Sequence, residues 1–338
     1  MISQLFIPGS YSFSKIEETG ARDFRKRVIF MVIGIPRGFL YYKHEALWKG
    51  FFDELGVEYL ISPETNQEIL DRGSEYAIDE SCLSSKVFLG HVHWLIGKCD
   101  KIFIPRISSY GPESAVCTKF SALYDLARNT FFEDDAEFIH YNVDYRSADV
   151  EAPGFVKLGK ALKKSRSKSL RAYLIAKQGQ KTRQMLEENQ VRQALEKEGV
   201  KILVAGHSYN LHDRYLGKPV FDLLDQLGVI PVSAAKVHDK EIHNASKKIA
   251  KNIPWIFNRE LTGAIAHYME KIDGIVLVTA FPCGPDSLIN ELLLRRIGNK
   301  PVLQLILDGQ EGTAGMETRL ESFVDIIRFQ KEGFYDTL

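Results

Sequence analysis

Short β-branched apolar runs alternate with longer amphipathic stretches along most of this chain. The runs at 28–35 (VIFMVIGI), 59–62, 101–105 and 137–141 are too short for helices and predict strands. Between them, 45–55 and 82–96 repeat their apolar positions at helical spacing. Thr65 with Glu68 reads as a capping box that opens a short helix after a Ser62-Pro63-Glu64 turn. A polar, basic stretch from 157 to 201 predicts a long solvated helix, or a pair of helices, joining two halves. A second alternation follows, with strands at 201–205, 229–233, 274–280 and 301–307 and helices at 219–227, 260–271, 285–297 and 313–329.

Strands that alternate with helices imply parallel sheets covered on both faces. The expected fold class is therefore α/β: two similar domains, each a mostly parallel sheet flanked by helices, with a cleft between them. The expected limits are an N-terminal extension at 1–27, a first domain at 28–165 and a second at 166–338. Two details suggest that the halves repeat each other. Leu55-Gly56-Val57 and Leu227-Gly228-Val229 each end a helix and enter a strand. Asp100 and Asp273 each open a later strand, and a cysteine follows each strand. In open parallel sheets, ligands gather at the carboxyl ends of the strands, so loops of both halves would face one crevice.

Composition narrows the function classes. With 338 residues, 45% apolar and 26% charged, the chain has enough core-forming residues for more than one globular domain. The 44 basic and 44 acidic side chains cancel, which removes the simplest electrostatic case for a nucleic-acid or anionic-membrane partner. No apolar run reaches the roughly 18 residues of a membrane span, and the opening segment lacks the pattern of a secretory signal. A soluble cytoplasmic protein is expected. No P-loop and no G-x-G-x-x-G follows a strand, so nucleotide hydrolysis by this chain is not expected. The Gly309, Gly312, Gly315 series before the last helix reads as a plain loop, with an anion site on its backbone N–H groups as the alternative.

Four cysteines in a chain of this length make no disulfide framework. Three of them share a context. Cys82 (DESCLSSKVFLGHV), Cys117 (SAVCTKFSALYDLA) and Cys283 (FPCGPDSLINELLL) each stand at a predicted helix start, where unpaired N–H groups favour a thiolate. Soft thiolates are the ligands of iron–sulfur clusters. Free cysteines are also often buried apolar residues, and no C-x-x-C spacing is present here, so the residues alone leave both readings open. Cys99 precedes a strand and reads as structural. His91 and His93 stand two apart on a helix and point different ways, so they do not form a joint metal site; zinc on three cysteines and one histidine is a further alternative.

The segments IGIPRGFLYYKHEALWKGFFDELGVEYLISPETN, DESCLSSKVFLGHV, KIFIPRISS and FPCGPDSLINELLLRR occur in this order and resemble the 2-hydroxyacyl-CoA dehydratase component family. Within it the chain looks most like the activase-related branch and the 2-hydroxyglutaryl-CoA dehydratase D-component. The resemblance runs from about residue 32 to residue 329. It implies two α/β domains with a [4Fe-4S] cluster between them on Cys82, Cys117 and Cys283; a related branch holds a double-cubane cluster instead. It also implies reductive removal of water from an acyl-CoA substrate through a ketyl radical, with a related subunit or a second copy as partner. The chain carries no fused ATP-binding activator domain, so an ATP-dependent activator would be a separate protein. Where relatives often have Pro before Tyr-Asn, this chain has Gly206-His207-Ser208-Tyr209-Asn210. A cluster-free protein that binds a small ligand in the cleft is the competing class.

Overall fold

The computed structural model describes residues 31–111, 113–237, 242–298, 300–309 and 313–332. The expected extension at 1–27, residues 28–30 of the first predicted strand, and Gly312 lie outside them.

The first half runs β1 (Val32–Ile35), α1 (Tyr41–Leu55), β2 (Glu58–Ile61), α2 (Gln67–Tyr76), α3 (Leu83–Leu95), β3 (Lys101–Phe103), β4 (Arg106–Ser109), α4 (Thr118–Ser121), α5 (Leu123–Thr130), β5 (Phe138–Ile139), β6 (Asn142–Asp144) and α6 (Glu151–Ala161). α7 (Arg166–Glu196) follows. The second half contains β7 (Lys201–Ala205), α8 (Ser208–Leu211), α9 (Lys218–Gln226), β8 (Ile230–Ser233), α10 (Ile242–Ser246), α11 (Ile256–Tyr268), β9 (Gly274–Ala280), α12 (Gly284–Arg296), β10 (Val302–Leu307) and α13 (Thr313–Lys331). The fold is α/β, with parallel sheets flanked by helices. Among the described residues, no helix is long and apolar enough to cross a membrane.

The two four-stranded sheets repeat one plan. The first has the order β2-β1-β3-β5 and the second, read in the same direction, β8-β7-β9-β10. All neighbours in both are parallel. The same carboxylate device closes both at one end. Asp100 accepts the Val32 N–H at 2.7 Å and donates its own N–H to the Val32 carbonyl at 2.9 Å. Asp273 does the same with Lys201, at 2.7 Å in both directions. Gly56 (φ 60°) and Gly228 (φ 70°) end α1 and α9 in the left-handed conformation that a side chain resists. Every residue of β9 is buried, as expected for a parallel strand covered on both faces. The short parallel pair β4–β6 was not foreseen from the pattern.

The basic stretch folds as the end of α6 and the long helix α7, entered through the Ser165 hydroxyl, which accepts the Lys168 N–H. α7 packs along α1 through Ala172, Tyr173 and Ala176, and further on sets Val191 into the second half's core. The Thr65–Glu68 capping box does not form. Asn66 caps α2 instead, its side chain accepting the Ile69 N–H at 2.9 Å. Thr65 is drawn away because a buried carboxylate, Asp213, competes for its hydroxyl.

Candidate functional site

Three backbone and side-chain contacts bring distant segments to one place at the carboxyl ends of the strands. Leu83 N donates to Phe281 O at 2.8 Å, which sets the start of α3 beside the turn that enters α12. Ile256 N donates to Ala115 O at 2.9 Å, which sets the start of α11 beside the segment entering α4. Ser84 Oγ donates to Asn210 Oδ1 at 2.7 Å, tying α3 to α8. Cys82, Cys117 and Cys283 are the N-cap residues of α3, α4 and α12, and none spends its side chain on a cap bond.

All three cysteines line one small chamber. Its other walls are largely aromatic: Phe39, Phe120, Tyr209, Trp255 and Phe257. Phe39 stands in the left-handed region (φ 46°), which turns its ring into the chamber wall, edge-on to Phe120 and Tyr209 at 5.1 and 5.2 Å. Cys99 is elsewhere, donating to Leu95 O at 3.4 Å against Gly34, and burial pushes its thiol up to about 11.

The expected thiolate character is not what the site imposes on Cys117 and Cys283. Burial raises both thiols; at Cys283 the Asp286 charge and then the other two cysteines add to it. Opposing this, the Lys119 N–H donates to the Cys117 sulfur and the Asp286 N–H to the Cys283 sulfur. Backbone donors at the helix starts are therefore aimed as predicted, but desolvation by the aromatic wall outweighs them. These thiols stay protonated unless a cation arrives to replace the proton.

Behind the cysteines lies a polar relay that the sequence reading did not pick out. His207 Nε2 is 2.7 Å from Asp286 Oδ1, and Asn258 Nδ2 donates to the same oxygen at 2.7 Å. Burial alone would raise the Asp286 carboxyl; His207 and Asn258 outweigh it and hold Asp286 below the usual carboxylate range. The carboxylate is thus the acceptor, and Nε2 of His207 carries the proton. Tyr209 stacks on the His207 ring at 5.0 Å, and its phenol is pushed well up, by burial first and then by Asp286 and the cysteines. Gly206 allows this loop to pass close to β9: a Cβ there would stand 2.7 Å from Val278 O. The departure noted at 206–210 is the signal that could have led to His207 and Tyr209.

Phe39, His207, Tyr209 and Phe257 also form one side of a wider, open cleft between α1, α7, α8 and α11. Lys43 of α1 and Glu260 of α11 pair across it at 2.6 Å.

The donor set at the chamber is three thiols, soft ligands of the kind that bind zinc or iron–sulfur clusters. One zinc ion draws its thiolates to about 2.3 Å, so the sulfurs must nearly touch. Among the described residues, no group of three or more His, Cys, Asp or Glu side chains is placed for that. A cluster binds each thiolate on a different iron and so holds the sulfurs further apart. Three thiols around one chamber, two of them receiving N–H donors, within a shell of aromatic rings, fit that larger group. His91 is not near it; its Nε2 faces Thr65 at 3.0 Å, while the His93 ring packs on Tyr76.

A family model described as the CoA enzyme activase uncharacterised domain matches residues 32–237, more than half of the chain. Cys82, Cys117 and His207 lie inside the match and Cys283 beyond it. No curated protein matches the chain. Among solved structures, a mutant laminin-binding adhesin from Streptococcus agalactiae is similar at 10% identity, over 88% of this chain and 98% of its own, with a TM-score of 0.26. A LacI family transcriptional regulator from Arthrobacter sp. FB24, in complex with lactose, is similar at 10% identity, over 82% and 97%, with a TM-score of 0.23. Likenesses at these TM-scores carry no argument about function.

Proposed function

The chain belongs to the CoA enzyme activase uncharacterised domain family, and on that premise we propose that it is an iron–sulfur redox protein of the 2-hydroxyacyl-CoA dehydratase type. It would serve as a dehydratase subunit or as a low-potential reductase. Cys82, Cys117 and Cys283 would hold a [4Fe-4S] cluster. The observation that carries the reading is the convergence of those three cysteines, drawn from segments up to 201 positions apart (283 − 82), on one chamber that leaves out Cys99.

When bound, such a cluster supplies one-electron chemistry at low potential and an iron with no protein ligand. The chain's own groups would do the rest. Phe39, Phe120, Tyr209 and Phe257 keep bulk water from the chamber and lower its dielectric. The Lys119 and Asp286 N–H groups stabilise charge on Cys117 and Cys283. Asp286 and Asn258 fix the His207 ring, whose Nε2 proton is committed to Asp286, so His207 faces the chamber as an oriented wall. Electrons would come from an ATP-dependent activator, a partner with which the family match is compatible.

The test is anaerobic purification and reconstitution, with iron and sulfide analysis and electron paramagnetic resonance. About four irons per chain, lost in Cys82→Ala, Cys117→Ala or Cys283→Ala and kept in Cys99→Ala, is the expected outcome. Near eight irons would replace the single cubane with the double-cubane form. Colourless protein after reconstitution would return the chain to the cluster-free class, with the wider cleft as its binding site.

A further inference from the structure

β10 is the outer strand of the second sheet, and among the described residues no strand lies beyond it. Its pairing with β9 fixes which of its backbone groups are spent. Ile275 N donates to Pro301 O at 3.0 Å and Phe281 N to Leu307 O at 2.8 Å, so the odd-numbered residues turn their N–H and C=O groups toward β9. Those of Val302, Gln304 and Ile306 therefore point to the open side. Among the described residues the Gln304 carbonyl alone has a partner there, the Arg319 guanidinium, and a carbonyl oxygen has a second lone pair to offer.

An open edge is a template for another strand, and folded proteins guard theirs with charge, proline or shortness. The other outer strands of the two main sheets do so. β2 carries Glu58, and β5 has two residues. β8 holds Pro231 on its open side, since Ile230 N is the group that bonds Val200 O. β10 has six residues, VLQLIL, with no charge and no proline, and Ile306 is 48% exposed.

The flanking residues say which strand fits. Lys300 precedes β10 and Asp308 follows it, at equal spacing from Gln304. Set two β10 strands antiparallel about Gln304. Val302 then faces Ile306 of the other copy, and Lys300 faces Asp308 at both ends. Every open N–H meets an open C=O, and each charge meets its opposite. Lys300 Nζ donates to Ile272 O at 2.6 Å and keeps two further N–H groups for the carboxylate. A slip of the register loses both charge pairs. We propose that two copies of this chain join along β10 in this register, making one eight-stranded sheet across a two-fold axis. The inference stands apart from the cluster.

Sedimentation velocity on the full chain over a wide concentration range tests it, and a reversible monomer–dimer equilibrium is expected. Lys300→Glu or Asp308→Lys alone sets like charges opposite each other at both ends and should weaken the dimer by about tenfold. The double variant restores both pairs and should return to within a few-fold of the parent. Ile306→Lys places a charge on the open edge, as Glu58 does on β2, and should leave a folded monomer. Gln304→Cys should give a disulfide-linked dimer on mild oxidation, because its Cα would lie about 5.5 Å from its counterpart. Val302→Cys, whose counterpart is displaced along the strand, should not, and the parent with its own four cysteines sets the background. A chain that stays monomeric, a dimer indifferent to Ile306→Lys, a double charge variant no better than the singles, or linkage through position 302 in place of 304 would each overturn the proposal. Iron-loaded protein that stays monomeric removes this interface alone, and a colourless dimer with the expected variant pattern removes the cluster alone.

Discussion

Tyr42, at the start of α1, donates its hydroxyl to Asp213 Oδ2 at 2.8 Å, from the first half of the chain to the second. Thr65 donates to the same oxygen, and the Tyr215 and Leu216 N–H groups reach Oδ1 at 2.9 Å each. Asp213 is 1% exposed, and burial raises its carboxyl despite these four donors. Tyr42 and Thr65 of the first half thus share one buried acceptor in the second, which the Tyr215 and Leu216 N–H groups hold in place.

Removing that acceptor leaves two hydroxyls and two backbone donors without it. Asp213→Ala should cost about 2–4 kcal/mol of unfolding free energy. Tyr42→Phe, which removes one donor and leaves the acceptor satisfied by the others, should cost about 1 kcal/mol. Urea unfolding of the two variants checks the ratio. Equal effects would mean that the network is not centred on Asp213.

His91 makes the same network sensitive to acid. Thr65 has one hydroxyl proton and gives it to Asp213, so it accepts from His91 Nε2–H. That leaves His91 Nδ1 a bare lone pair, and it is buried without a partner. Burial, with Arg37 nearby, depresses the ring to about 3. The native state thus binds this proton less readily than the unfolded chain, whose histidine titrates near 6.5. Stability from this group is present above about 6.5 and is lost as pH falls from there toward 3. Over that window His91 should contribute a slope of about 1.4 kcal/mol per pH unit. His44, buried between Tyr110 and Gln180, is depressed as well and adds a second slope of the same sign. Denaturant melts from pH 7 to pH 4 should show His91→Leu losing about one proton's worth of dependence relative to the parent.

Asp286 and His207 support the chamber as a pair, and the two truncations should differ. Asp286→Ala leaves the buried His207 and Asn258 donors without their acceptor and should cost about 2–4 kcal/mol. Asp286→Asn keeps the shape and one acceptor oxygen and should cost less. In reconstituted protein, both variants should alter the paramagnetic spectrum while keeping the iron, because neither removes a thiol. Loss of iron from Asp286→Asn as complete as from Cys283→Ala would make Asp286 part of the binding set instead.

Much of this was legible from sequence because it is local or repeated. The alternation of short apolar runs and amphipathic stretches gave both sheets, and Asp100 and Asp273 marked the repeat whose strand order the sheets share. The helix-start context separated Cys82, Cys117 and Cys283 from Cys99, and those three line one chamber. What stayed hidden depends on contacts across the halves. Thr65 looked like a cap because its helix is adjacent, while its true partner lies 148 positions away. His207 meets Asp286 across 79 positions, and no spacing encodes that. The thiolate expectation failed at Cys117 and Cys283 for a related reason. The helix start is visible in sequence, whereas the rings of Phe39, Tyr209 and Phe257 that desolvate the sulfurs arrive from elsewhere.

Gly206 tests how closely the His207 loop must approach the sheet. A methyl group there would meet Val278 O at 2.7 Å and Leu211 Cδ2 at 3.0 Å. The carbonyl belongs to β9, buried and paired on both sides, so it cannot retreat; the loop must move instead. Moving it displaces His207 from Asp286 and Tyr209 from Phe39, which opens the chamber wall toward the wider cleft. Gly206→Ala should therefore destabilise the fold by about 1–3 kcal/mol and also speed quenching of Trp255 fluorescence by acrylamide. Gly284→Ala supplies the control, because a Cβ at that position meets nothing within 4 Å. Gly284 also stands beside Cys283, so equal quenching in the two variants would place the opening at the cysteine rather than at the loop.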